Sequence, residues 1–382
     1  MSLLTEAAIP AKVLAAVRAP FEAFGGEWTD APVLQPLTVL LDLAGEAMRP
    51  RLFVVQTEGA EALALRPDFT IPVALAHIAG GAAEGRYLYE GKVFRVAPAD
   101  SGRAVEYLQI GAERYGPASD PVAEDAEMAA LAWAAANAGG RKDLSLALGD
   151  VGLFAAFIQA MGLPDAVRTR LARAFASGRG LSAELERAQE PAQTVANGGS
   201  RLSHLLTDLP EAEAAAVLEE LWRLAGIQPV GGRGPAEIVH RLVERAEAGR
   251  VAPLSPAEAD LIGRYLQVTG SPRAALDAVE RLGYEAKADI GMAIAAWIER
   301  LKALVATGVP EAAMTLSTGL VRPFGYYDGV LFEVRSAALG PDRLVAAGGR
   351  YDGLPARLGG AAGACAIGCI VRPGRAWKEG AI

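Results

Sequence analysis

Apolar and polar positions alternate most clearly over residues 86–116, RYLYEGKVFRVAPADSGRAVEYLQIGAERYG. Residues 86–96 alternate large apolar with polar side chains. Residues 104–115 are rich in Tyr, Ile and Val, and Pro98-Ala99-Asp100-Ser101-Gly102 lies between the two runs. This pattern predicts an antiparallel hairpin with a long loop. Arg95 ends the first strand and Arg103 opens the second. Gln109 and Glu113 stand four residues apart and so share one face. Such a face is costly to bury unless a ligand or partner satisfies its polar groups; a solvated sheet face is the other reading.

Helical spacing of Leu14, Val17, Phe21 and Phe24 predicts a helix over 10–24, stopped by Gly25-Gly26. An extended segment follows, with Pro32 and Pro36. Residues 51–56 and 61–66 read as a second hairpin that runs into Leu65-Arg66-Pro67-Asp68-Phe69-Thr70. Asp68 or Thr70 is placed to cap a helix over 71–80. An Ala-rich helix over 122–138 and a strand over 144–148 come next. Asp150 then stands at the start of a helix over 151–161. Residues 164–308 are almost wholly helical in pattern and punctuated by prolines, with Val217, Leu221 and Leu224 at core-facing spacing. The predicted division is 1–164, a helical insertion over 165–285, and 286–382. Strands return at 312–318 and 329–335. Tyr326 and Tyr327 read as part of an aromatic strand, which would point them to opposite faces and leave at most one for a given pocket.

Composition narrows the classes. The chain has 382 residues, 52% hydrophobic and 21% charged, enough for a large core. The net charge is −8 and no Lys/Arg-rich run appears, which argues against a dedicated nucleic-acid binder. The N-terminal sequence lacks a signal-peptide pattern and no apolar run would span a bilayer, so a cytoplasmic location is expected. Cys365 and Cys369 are the two cysteines. They fall on one face of a predicted strand, but a zinc site needs about four ligands, so no metal and no cofactor is expected. His204 and His240 lack ligand-spaced neighbours and read as structural histidines.

The central run resembles a known motif. FRxxxxxxGRxxEYxQxGxE, from Phe94 to Glu113, is similar to motif 2 of the class II aminoacyl-tRNA synthetases in its histidyl-tRNA synthetase form. The resemblance implies that Arg95 matches an arginine on an ATP α-phosphate, and Gln109 and Glu113 match contacts to histidine. LRPDxT, ending in Asp68 and Thr70, resembles LRPExT, whose acid and threonine face the amino group. Arg322, Tyr326 and Tyr327 match the histidine-pocket segment RGLDYY, with Gly325 in place of its Asp. Residues 346–354 match AGGRYDGL. Residues 366–375 stand where motif 3 belongs, with Arg375 aligned to its arginine and Pro32 at the motif 1 place. These segments, in order, imply an α+β fold: an antiparallel sheet flanked by helices, here without the anticodon-binding domain of the synthetase.

Departures from the pattern qualify the activity. Val96-Ala97 replaces the His-Glu of motif 2. Arg372 and Pro373 stand where motif 3 expects a small residue and a helix. ALGDVGLFAAFIQAMGLP, at 147–164, is similar to a stretch of the regulatory subunits of ATP phosphoribosyltransferase, paralogues of the synthetase. The expectation is therefore a non-catalytic regulatory subunit, paired with the short catalytic subunit in the first step of histidine biosynthesis and taking part in feedback by histidine. Dimerisation through the motif 1 region is implied. The expected ligand pocket comprises Asp68, Thr70, Arg95, Arg103, Gln109, Glu113, Arg322, Tyr326 and Tyr327. The alternative is a histidyl-tRNA synthetase-like enzyme that adenylates histidine; a stand-alone histidine sensor is a third reading.

Overall fold

The computed structural model describes residues 6–56, 61–98, 101–117, 119–178, 181–189, 209–225, 253–322, 325–341, 343–361 and 363–380. His204, His240, Ala99 and Asp100 lie outside them. The first elements are α1 (Ala11–Phe24), β1 (Glu27–Trp28), β2 (Leu34–Pro36), α2 (Leu37–Ala44), β3 (Val54–Val55), β4 (Leu63–Leu65), α3 (Thr70–Ala79), β5 (Gly85–Phe94) and β6 (Glu106–Gly116). Next come α4 (Pro121–Ala138), β7 (Leu144–Asp150), α5 (Val151–Ala160), α6 (Asp165–Ala176), α7 (Leu181–Gln189), α8 (Glu211–Ala225) and α9 (Pro256–Leu266). The last are β8 (Thr269–Gly270), α10 (Pro272–Glu285), α11 (Gly291–Ala306), β9 (Met314–Ser317), β10 (Val330–Ser336), β11 (Ala346–Arg350), α12 (Gly353–Arg357), β12 (Cys365–Val371) and α13 (Pro373–Ala376).

Among the described residues nine strands form the main sheet, in the order β1-β5-β6-β12-β11-β10-β7-β9-β8. Pairing is antiparallel from β5 through to β7, and parallel only at β1–β5 and β7–β9. Strands β2, β4 and β3 make a small separate sheet. Helix α4 lies across β10, β11 and β12, with α1 and α11 packed on it. Asp120 caps α4 by accepting from the Ala123 amide at 3.1 Å, and Pro121 takes the first turn, where its missing N–H is harmless. A buried ion network ties these layers. Asp125 of α4 accepts from Arg350 of β11 and Arg300 of α11, each at 2.7 Å, and Glu124 from Arg350 at 3.2 Å. Asp150 caps α5 through the Gly152 amide at 2.7 Å and also takes the Trp297 indole N–H at 2.8 Å. Among the described residues no helix is long and apolar enough to cross a membrane.

Four local expectations are corrected. The buried stripe of α1 is Val13, Val17 and Phe21, while Leu14 and Phe24 are half-buried. On α8, Ala214 and Leu218 are buried, and Val217, Leu221 and Leu224 are exposed. α3 has no side-chain cap: its first residue, Thr70, gives its hydroxyl to Glu113 instead. The segment before β10 is irregular through Tyr326 and Tyr327, with Gly325 at φ +65°, a conformation in the left-handed region that breaks a strand.

Candidate ligand site

Tyr107, Gln109, Gly111, Glu113 and Tyr115 share one face of β6, because side chains alternate along a strand. Over this face lies a cavity of about 210 Å³. Asp68, Thr70, Arg95, Arg103, Gln109, Glu113, Arg322, Tyr326 and Tyr327 all line it. The loop before α3, the two ends of the β5–β6 hairpin and the segment before β10 thus converge on one space.

Glu113 anchors the acidic end. Its carboxylate accepts from Thr70 Oγ1 at 2.8 Å, from the Tyr89 hydroxyl at 2.9 Å, and from the Tyr351 hydroxyl on the other side. Burial raises its pKa to about 7, against the three hydroxyl donors that favour the ionised form. Neighbouring strands leave it room. Gly368 faces it across β6–β12, and a Cβ there would overlap the Glu113 carboxylate. Gly111 faces Tyr89 across β5–β6, and a Cβ there would overlap the Tyr89 hydroxyl.

Asp68 is buried, and neither of its carboxylate oxygens has a hydrogen-bond partner among the described residues. Burial pushes its pKa up, while Arg95, Arg322 and the nearby amides of Thr70 and Ile71 favour its charged form. Gln109 Oε1 is likewise buried without a partner. Tyr326 and Tyr327 lie ring against ring at 4.6 Å, both edge-on to Tyr351 at 5.6 and 5.9 Å. Both line the cavity, because the irregular backbone releases them from strand alternation. Arg322 donates to Glu333 at 3.2 Å and lies 5.7 Å from the Tyr327 ring.

The other end of the cavity is cationic. Arg95 donates to the Pro67 carbonyl at 2.7 Å, and its guanidinium lies 6.0 Å from the Tyr107 ring. Arg372 covers the same ring at 3.4 Å and pairs with Glu6. Arg375 donates to the Leu344 carbonyl at 3.0 Å, and its pKa falls to about 10 through burial and the neighbouring Arg372. Pro373 is accommodated at the first position of α13, a helix of four residues, as the ring's geometry allows. Arg66 of the LRPD run faces elsewhere. It donates to the carbonyls of Ala31 and Lys92 and lies 4.1 Å over the Phe69 ring.

Tyr107, Glu333 and Gly368 line the pocket without having been singled out for it from the sequence, and Tyr89, Tyr351 and Glu6 support it from behind through Glu113 and Arg372. Parity along the hairpin would have placed Tyr107 with Gln109. A glycine facing each of Tyr89 and Glu113 was a usable signal only once strand partners were known.

The family model described as histidyl-tRNA synthetase matches residues 2–232 and 235–372. An ATP phosphoribosyltransferase regulatory subunit of Brucella anthropi is 34% identical over 355 residues, covering 91% of each chain. This chain belongs to the ATP phosphoribosyltransferase regulatory subunit family. Its relative of the same description from Brucella canis is 34% identical over 350 residues, 90% of each. A Bacillus halodurans protein described as ATP phosphoribosyltransferase regulatory subunit/histidyl-tRNA synthetase superposes at TM-score 0.61 and 20% identity, over 96% of this chain and 78% of that one. Histidyl-tRNA synthetase from Nostoc sp. PCC 7120 superposes at TM-score 0.59 and 17% identity, over 97% and 72%. At such identities the two structures establish the fold, a mixed sheet flanked by helices as in the class II synthetases.

Proposed function

We propose that this chain is a regulatory subunit of ATP phosphoribosyltransferase that holds histidine in the cavity and performs no chemistry of its own. The carrying observation is that two buried acceptors lining this cavity, the Asp68 carboxylate and Gln109 Oε1, have no hydrogen-bond partner among the described residues. An ammonium group supplies the donors that both lack. The imidazole goes to Glu113 and the tyrosines, and the amino acid's carboxylate to the guanidiniums beyond Asp68. A cavity of about 210 Å³ suits an amino acid, since drug-sized ligands take about 300–1,000 Å³.

Adenylation is disfavoured by the loss of the His-Glu pair at Val96-Ala97 and by Arg372, which fills the face of Tyr107. Without a positioned nucleotide and metal, an in-line attack loses much of its rate enhancement. The role left is to bias a catalytic partner between conformations, with a coupling of ~1–3 kcal/mol per ligand. The partner is the short catalytic subunit, in keeping with the description carried by the relatives. A second copy of this chain covers the apolar side chains Trp28, Val33, Leu34 and Val54, which are exposed around the motif 1 region.

Calorimetric titration of the chain with histidine tests the ligand. Saturable heat supports the reading, and no heat at millimolar histidine sends the effector site elsewhere. Histidine-dependent ATP–pyrophosphate exchange would instead establish the adenylating enzyme.

A further inference from the structure

Glu333 is a charged residue in the middle of a buried strand. β10 carries it between Ala147 of β7 and Ala347 of β11, its register partners, and these small side chains leave room for a carboxylate. Glu333 is only 5% exposed. A carboxylate so placed is costly unless it is paired, and two arginines pair it. Oε1 accepts from Arg322 at 3.2 Å, and Oε2 accepts from Arg335 at 2.5 and 3.1 Å. The Arg322 side chain is 10% exposed and that of Arg335 34%, so one partner is inside and the other reaches the surface.

A structural bridge is the plain reading of this trio, and two observations carry it further. Arg322 and Glu333 both line the cavity, together with Asp68 and Tyr327. The Arg322 Nε is also buried without a hydrogen-bond partner among the described residues. Arg322 thus keeps a spare donor, but its charge is already shared with Glu333. A ligand carboxylate arriving at Arg322 meets a resident carboxylate on the same guanidinium, and the two like charges oppose each other. An ammonium group meets no such rival, because Asp68 and Gln109 Oε1 are acceptors without partners among the described residues.

We propose that Glu333 is a specificity-determining residue of this cavity: by holding Arg322 it lowers the worth of a ligand's carboxylate, so that selection rests on the amine. Arg335 tunes the effect from the surface, since it draws the Glu333 charge away from Arg322. The inference rests on reading the cavity as an amino-acid site, and it concerns a difference of affinities between ligands rather than binding as such.

The test is calorimetric titration of the full chain with three ligands: histidine, histidinol, in which an alcohol replaces the carboxylate, and imidazolepropionate, which lacks the amine. Loss of the amine is expected to weaken binding roughly tenfold or more, and loss of the carboxylate to weaken it less. Glu333→Gln is expected to favour histidine over histidinol by roughly fivefold more than wild type does. Arg335→Gln is expected to move the same ratio the other way, because Glu333 then bears on Arg322 alone. A merely structural bridge shifts both ligands together. Unmoved ratios therefore overturn the inference, as does imidazolepropionate binding tighter than histidinol. Arg335 is partly exposed, so its variant decides even where the melting temperature shows that Glu333→Gln fails to fold. No saturable heat with any ligand overturns the amino-acid reading and this inference together, whereas heat with unmoved ratios overturns this inference alone.

Discussion

Gly368 and Glu113 face each other across the β6–β12 pair, and the Glu113 carboxylate fills the space where a side chain at 368 would begin. Ala at 368 must push aside a carboxylate already held by Thr70, Tyr89 and Tyr351. Gly368→Ala is expected to destabilise the chain by about 1–3 kcal/mol, the usual cost of overpacking, and to abolish histidine binding. Urea unfolding and calorimetry read the two effects separately.

Glu113 makes stability depend on pH. Its pKa rises from 4.5 to about 7 on folding, mainly through burial. The folded chain therefore keeps a proton that the unfolded chain releases. The stability from this group is full below pH 4.5 and is lost as pH rises through about 7. Glu113→Gln should remove that part of the slope. The difference in urea midpoint between wild type and variant, followed over this range, gives the result.

Asp68 is predicted to trade stability for binding. A buried carboxylate without a hydrogen bond costs the free protein, so Asp68→Asn should melt no lower than wild type. The same change removes a charged partner for an ammonium group, a loss of about 1.5–3 kcal/mol. Histidine affinity is expected to fall tenfold or more. A variant that both melts lower and binds normally would contradict the assigned role.

Among the described residues β1 is an edge strand, hydrogen-bonded only to β5, and Trp28 on it is exposed, as are the apolar Val33 and Leu34. Bare edges of this kind are sites for pairing with another chain. Trp28→Glu combined with Leu34→Glu should shift the protein to monomer at micromolar concentration, as seen by sedimentation. A dimer that persists would place the interface elsewhere.

The sequence made the hairpin legible because residue parity on a strand is rigid: once β5 and β6 exist, Gln109 and Glu113 must share a face. It misled at Tyr326 and Tyr327, where alternation was applied to a segment that never becomes a strand. It placed Tyr351 in a matched segment but did not show what Tyr351 or Glu6 would touch. Tyr351 reaches Glu113 across 238 residues of chain, and Glu6 reaches Arg372 across 366. Such contacts depend on strand order, which no local pattern carries. The slip of α1 from Leu14 to Val13 has the opposite origin. Two neighbouring apolar positions were both available, and packing against α4 selected one.

Control of a catalytic partner is the proposed role of this chain. The most direct measurement is phosphoribosyl-ATP formation by the short catalytic subunit from the same source, with and without this chain, each with and without histidine. The rate is expected to rise sharply on adding the chain, and histidine is expected to lower it again. A catalytic subunit whose rate is the same in the presence and absence of the chain would contradict it.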